Sequence, residues 1–166
     1  LLYFAKLCLE KIYYDVAEKT CLLIITNPSA KKSTSIEAHF ILAKSQIFQE
    51  KYTSALETYQ KILNLAETEE EKALVYFQIG ELNFNQLNDI TSALSAYKII
   101  LEKYPNNNST LISEVSVRLG DCFLVSGQPD SAFEVYQKLL DANPRYLKAE
   151  EYYFKIAEIY FYKKDF

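Results

Sequence analysis

At 166 residues and 49% hydrophobic content, the chain carries enough apolar side chain to bury a core along its whole length. Its net charge of -4 and isoelectric point near 5.1 argue against nonspecific DNA or RNA binding, which needs clustered Lys and Arg, and the basic runs Lys31-Lys32 and Lys163-Lys164 are only pairs. The longest apolar stretch, residues 21–25, is far too short to cross a bilayer, so no direct membrane insertion is expected.

The first residues, Leu1-Leu2-Tyr3-Phe4, already lie in a helical pattern and lack the basic start and cleavage site of a signal peptide. With no methionine anywhere, the chain reads as a segment of a longer protein. Phe4-Ala5, a bulky residue followed by a small one, opens a pattern that continues through Tyr14, Ala17, Cys21 and Pro28. The same order returns as Leu42-Ala43, Tyr52, Ala55 and Tyr59. A third round begins with a helix expected over 71–87, striped by Leu74, Phe77, Ile79-Gly80 and Phe84. Asn88-Asp89 breaks it, and a second stripe over 91–104 carries Ala93, Leu94, Tyr97, Ile100 and Leu101 before Tyr104-Pro105 stops the helix. The fourth round places helices over 111–126 and 130–142, with Leu119-Gly120, Ala132 and Tyr136 in the same places and a Gly127-Gln128-Pro129 turn between them. Asn143-Pro144 ends it, and Ile156-Ala157 begins a fifth. Proline at 129 suits a first helical turn, where no backbone donor is needed.

Ala17, Ala55, Ala93 and Ala132 therefore recur 38, 38 and 39 residues apart, a period that marks stacked helix pairs. Asp15-x-x-Glu18, Thr34-x-x-Glu37 and Thr68-x-x-Glu71 match the capping box, in which two side chains satisfy backbone amides at a helix start. Nothing reads as a strand, so the expected fold is all-α. Ala5, Ala43, Gly80, Gly120 and Ala157 let a neighbouring helix approach closely, and the large residues Tyr59, Tyr97 and Tyr136 fill the space between successive rounds.

These residues resemble the tetratricopeptide repeat, whose helix A carries a bulky-small pair and whose helix B carries Ala and an aromatic residue. Leu119-Gly120, Phe123, Gly127, Ala132, Tyr136 and Pro144 form the fullest match, and the first round is the most degenerate. The resemblance implies a right-handed α-α superhelix, a single array of four helix pairs over about 1–33, 34–68, 69–109 and 110–146 plus a fifth A helix over 147–166. The units of about 38 residues exceed the family's usual length of about 34. Such longer units ending in Tyr-Pro or Asn-Pro are similar to those of bacterial envelope proteins, which leaves periplasm or envelope and cytoplasm both open.

In this family ligands lie in a concave groove lined by the A helices. Carried over in register, the groove columns hold Leu2, Phe40, Phe77, Val117 and Phe154, then Lys6, Lys44, Glu81, Asp121 and Glu158, then Leu9, Ile47, Phe84, Leu124 and Phe161. The middle column runs basic, basic, acidic, acidic, acidic. This suggests a groove with an apolar floor and opposite charge at its two ends, suited to a peptide or helix with apolar anchors flanked by charges. The bland alternative is that the charges form ordinary solvated faces and the aromatic residues pack between repeats. The family's carboxylate clamp would need Lys and Asn in paired positions. Lys6 and Lys44 are present without the matching Asn set, so binding of a chaperone tail is not expected.

No catalytic residue, cofactor or metal is expected. The one histidine, His39, sits at a packing position with no Cys or Asp spaced to make a triad, and Glu69-Glu70-Glu71 suits a helix start and not a calcium loop. The three cysteines, odd in number and without C-x-x-C spacing, read as buried thiols. The expected function is a non-catalytic scaffold binding a peptide or partner protein through the groove. The alternatives are a self-association module acting through the apolar residues of the last helix (Tyr152, Tyr153, Phe154, Ile156, Ile159, Tyr160, Phe161) and a regulatory segment of a larger enzyme or sensor.

Overall fold

The structure is a computed structural model that describes residues 1–106, 109–142 and 149–164, with side chains for all of these except 149–151 and 162–164. The described residues form nine helices and no strand. They are α1 (Leu2–Glu10), α2 (Tyr14–Ile25), α3 (Lys32–Phe48), α4 (Tyr52–Leu65), α5 (Glu69–Asn85), α6 (Ile90–Lys103), α7 (Ser109–Val125), α8 (Pro129–Ala142) and α9 (Ala149–Lys164). The chain divides into two compact units, Leu1–Leu82 and Asn83–Phe166.

The turns after α1, α3, α5 and α7 share one backbone solution. Ile12, Glu50, Asn88 and Gly127 all hold a positive φ, of 69°, 60°, 52° and 69°. They follow one another at 38, 38 and 39 residues, the same period as the alanines. After α1, the amide of Ile12 donates to the Leu9 carbonyl and that of Tyr13 to the Cys8 carbonyl. After α3, Glu50 and Lys51 donate to Ile47 and Gln46, and after α7, Gly127 and Gln128 donate to Leu124 and Phe123. Each pair of bonds is a Schellman closure, which satisfies carbonyls that the ended helix leaves open. The turn after α5 is one residue longer and closes from Asp89 to Asn83 at 2.9 Å. Gly127 takes the left-handed conformation without steric cost, and Asn88 tolerates it; Ile12 and Glu50 hold it against the clash of their own Cβ atoms.

One of the three sequence-predicted capping boxes forms. The Glu71 amide donates to Thr68 Oγ1 at 3.1 Å, and Glu71 Oε2 accepts from the amides of Thr68 and Glu67. The other two do not, because their helices start earlier than the pattern implied. Asp15 and Thr34 lie inside α2 and α3, whose N-caps Tyr13 and Lys31 make no side-chain capping bond. Glu18 and Glu37 are thereby released to reach across to other helices. A cap that no box pattern marked stands at Asp89, whose carboxylate accepts from the Ser92 amide at 3.0 Å and the Ser92 hydroxyl at 2.6 Å. These bonds hold the Asp89 carboxyl below its usual pKa, so what they contribute to stability is lost as pH falls through that lowered value.

In the first unit Ala5, Ala17, Ala43 and Ala55 are all fully buried. Cys21, Ile24, Ile41 and Leu42 pack α2 against α3, and Tyr59, Ile62, Val75 and Leu82 pack α4 between α3 and the first part of α5. The second unit centres on Val117, Ala132, Tyr136, Leu140 and Tyr152. Here the small residue has a measurable reason. A Cβ added to Gly120 would lie 2.4 Å from the Tyr136 ring, which is fully buried and stacked on Tyr152 at 5.5 Å. Ala157, expected to admit a neighbour, is exposed in α9. Cys8, Cys21 and Cys122 are buried and form no disulfide, and burial, followed by the nearby Glu18 carboxylate, pushes the Cys21 thiol up to about 12.

Two substitutions test this packing. Gly120→Ala should destabilise the chain by about 1–3 kcal/mol, because Tyr136 has no room to retreat; an unchanged denaturation midpoint would show the contact to be loose. Ser45 is fully buried, its hydroxyl lacks a hydrogen-bond partner, and the matching positions of later helices hold Leu82, Cys122 and Ile159. Ser45→Ala should therefore leave stability unchanged or raise it by up to about 1 kcal/mol, and a clear loss would mean that the hydroxyl is satisfied.

Candidate functional site

The charged column is partly consumed by contacts between successive odd-numbered helices of each unit. In the first unit Lys6 Nζ on α1 donates to Glu37 Oε2 on α3 at 2.7 Å. Glu18 on α2 accepts from Gln49 and from Lys51 beyond α3, each at 3.0 Å. Lys32 pairs with Glu67, which holds the Glu67 carboxyl below its usual pKa. Lys44 behaves differently. It is exposed on α3 and makes no ion pair or hydrogen bond among the described residues.

Beside Lys44 the ends of α1 and α3 leave an open cleft of about 470 Å³. Leu9 and Ile47 come from the two helices, Ile12 from the strained turn, and Tyr14 from the start of α2. Phe48 completes the apolar wall, its ring stacked on Tyr14 at 4.9 Å with only 9° between the planes. Glu10 supplies one carboxylate at the margin. Of the other groove positions in this unit, Phe40 and Ile47 are half-buried, Phe77 is buried and Glu81 is half-buried. Phe40 meets Tyr59 edge-on at 6.4 Å, so its ring serves the core as well as the surface.

In the second unit Asp121 is a structural hub. Its Oδ1 accepts from the Tyr136 hydroxyl at 2.6 Å and from Lys155 Nζ at 2.5 Å, and Arg118 approaches Oδ2 at 3.9 Å. Lys155 Nζ also lies 5.7 Å and 5.4 Å from the ring centroids of Tyr136 and Tyr152. Burial, then the bond to Asp121, drives the Tyr136 phenol far above its usual pKa, so it remains a hydrogen donor at any working pH. Val117 is buried in the same core, and Phe84 is half-buried. Phe154, 65% exposed, and the exposed Glu158 stand clear on α9.

His39 is buried, with Nδ1 2.7 Å from the Ser35 carbonyl; since a carbonyl only accepts, Nδ1 carries the proton. Among the described residues no three His, Cys, Asp or Glu side chains gather as a metal site, and no helix is long and apolar enough to cross a membrane.

The column thus divides into residues that hold helices together and residues that face solvent. Asp121→Asn should cost about 1–3 kcal/mol, because it leaves the Lys155 ammonium only a quarter exposed and without its counter-ion. Glu158→Gln should change stability by less than about 0.5 kcal/mol. Equal losses in urea denaturation would refute this division.

Comparison with known proteins agrees with the repeat register. The tetratricopeptide repeat family model matches residues 37–66, 74–107 and 114–146, which is more than half of the chain. No match is found among curated protein sequences. Among solved structures, one crystal structure of MamA superposes with a TM-score of 0.65 at 18% identity, covering 98% of this chain and 97% of that one. A second MamA structure gives 0.61 at 18% identity, covering 96% and 84%. YrrB, described as a TPR protein with an unusual peptide-binding site, gives 0.63 at 15% identity, covering 98% and 76%. The period, the helix pairs and these matches together establish that the chain belongs to the tetratricopeptide repeat family, helical-repeat solenoids that are generally non-catalytic protein-interaction scaffolds.

Proposed function

We propose that the chain binds a peptide or a segment of a partner protein on surfaces that odd-numbered helices present within each unit. The observation that carries this reading is Lys44, an exposed cation left without a partner beside an open apolar cleft. Lys6–Glu37 and Lys51–Glu18 tie neighbouring elements of the first unit together, whereas Lys44 ties none; what sets it apart from the other unpaired lysines is the exposed apolar surface of the cleft beside it. Phe154 and Glu158 offer a similar pairing of aromatic and charge on α9. The peptide-binding site in the description of YrrB is consistent with this use of the fold. The reading assigns the chain no chemistry of its own.

A second reading, self-association through α9, draws on the exposed Tyr153, Phe154, Tyr160 and Phe161. Light scattering at rising concentration separates the two, since a strict monomer at high concentration removes the second.

The main reading predicts a positional pattern of photo-crosslinking. A benzoylphenylalanine probe at Lys44 or Glu158 should capture a discrete partner from native extract, whereas the same probe at Lys61 or Glu134, exposed on even-numbered helices, should not. Capture of equal strength at all four positions would sink the proposal.

A further inference from the structure

The cleft beside Lys44 has a specific chemistry, and it rests on the reading that the odd-numbered helices of the first unit bind a peptide. At the turn position where the other rounds place Glu50, Asn88 and Gly127, this round places Ile12 in the left-handed region at φ 69°. A β-branched side chain is the least suited to that conformation. Its usual return would be burial, yet Ile12 is 70% exposed. Phe48 is 58% exposed although one face of its ring is covered by Tyr14. Two large apolar side chains therefore stand at the solvent boundary, one on a backbone fixed by a closed turn and one on an aromatic stack. The volume of about 470 Å³ lies in the range of small-ligand pockets and would take one or two side chains.

Two charges stand beside this wall, the Glu10 carboxylate from the end of α1 and the Lys44 ammonium from α3, and the ammonium is the one that can accept an acidic ligand group. Lys44 stands where Glu81, Asp121 and Glu158 stand in later rounds, so this is the first cleft whose column residue is basic and unpaired; Lys6, the other basic member, is neutralised by Glu37. The geometry points to a pocket for a linear peptide segment that presents an aromatic or branched apolar side chain next to a carboxylate. The apolar group packs against Ile12, Ile47 and Phe48, and the carboxylate pairs with Lys44. Strained backbone of this kind, held by its closing hydrogen bonds, clusters at ligand clamps, and the residue that bears it here lines the cleft.

The test uses the whole chain and short peptides as probes. Acetyl-Gly-Phe-Asp-Gly-amide, titrated into isotope-labelled protein, should shift the backbone resonances of Leu9, Ile12, Lys44 and Phe48 in a saturable way. Acetyl-Gly-Phe-Lys-Gly-amide and acetyl-Gly-Ala-Asp-Gly-amide should each bind at least about tenfold more weakly, a factor worth 1.4 kcal/mol at room temperature. Lys44→Glu should reverse the order of the two charged probes. Ile12→Gly relieves the backbone strain, so it should keep or raise the melting temperature while weakening the first probe about tenfold; this separates lost recognition from lost folding. Absence of saturable shifts at the cleft, or equal binding of the acidic and basic probes to the parent chain, would overturn the assignment. Should the peptides fail while crosslinks from Lys44 and Glu158 succeed, the scaffold reading stands and the pocket chemistry alone is wrong. Should the peptides bind and the crosslinks fail, the pocket stands without the wider binding face.

Discussion

The contact on which the rest of the packing depends is a tyrosine of a short helix seated on a small residue of the long helix before it. Gly120 and Tyr136 show it most sharply, since even one methyl group would enter the ring. Tyr59, buried in one cluster with Ala43, shows the same pairing in the first unit. The tyrosine has two jobs. Its ring fills the space that the small residue opens, and in the second unit it also stacks on Tyr152 of the next long helix, an aromatic pairing worth about 0.5–1.5 kcal/mol beyond its area. One side chain thereby joins three helices, which is why the spacing between small residue and ring tolerates so little change.

Electrostatics reinforces the same joints. Lys6–Glu37, Lys51–Glu18 and Lys155–Asp121 each join residues about one repeat apart within a unit. The pairs differ in weight. Lys6 and Glu37 are about half exposed, where an ion pair contributes little. Asp121 is mostly buried and accepts a phenol and an ammonium at once, so its charge belongs to the fold. A charge gradient read along the column therefore overstates the field available to a ligand. What remains outward-facing is Lys44 at one position and Glu158 at another.

The turns show how a shared backbone geometry can hide behind unlike residues. Gly127 and Asn88 announce a left-handed residue, and a sequence reading finds both as breaks. Ile12 and Glu50 announce nothing, because neither residue type favours that conformation. The Schellman bonds and the packing of the following helix over-determine the geometry there, and the local preference loses. Capping failed as a sequence signal for a related reason. Thr34 and Asp15 have the right spacing to a Glu, but helix α3 extends back to Lys32 and α2 to Tyr14, and the carboxylates are drawn to lysines on neighbouring helices.

The helical class, the pairing of helices and the register were legible from the alanine period, because small residues at close-contact sites are a requirement that recurs with every repeat and leaves a mark of fixed length. The burial of Tyr59, Tyr97 and Tyr136 follows from that same requirement. The cleft was not legible. Its wall joins Leu9 and Ile12 to Lys44 and Phe48, more than thirty residues away, and depends on a φ angle at Ile12 that its side chain disfavours. Which charges are spent inside the fold was equally hidden, since Asp121 and Glu158 occupy the same column and differ only in whether a tyrosine and a lysine come within hydrogen-bonding reach. Periodic packing writes itself into the chain, whereas the partner of a single side chain is set by neighbours that the chain brings together only on folding.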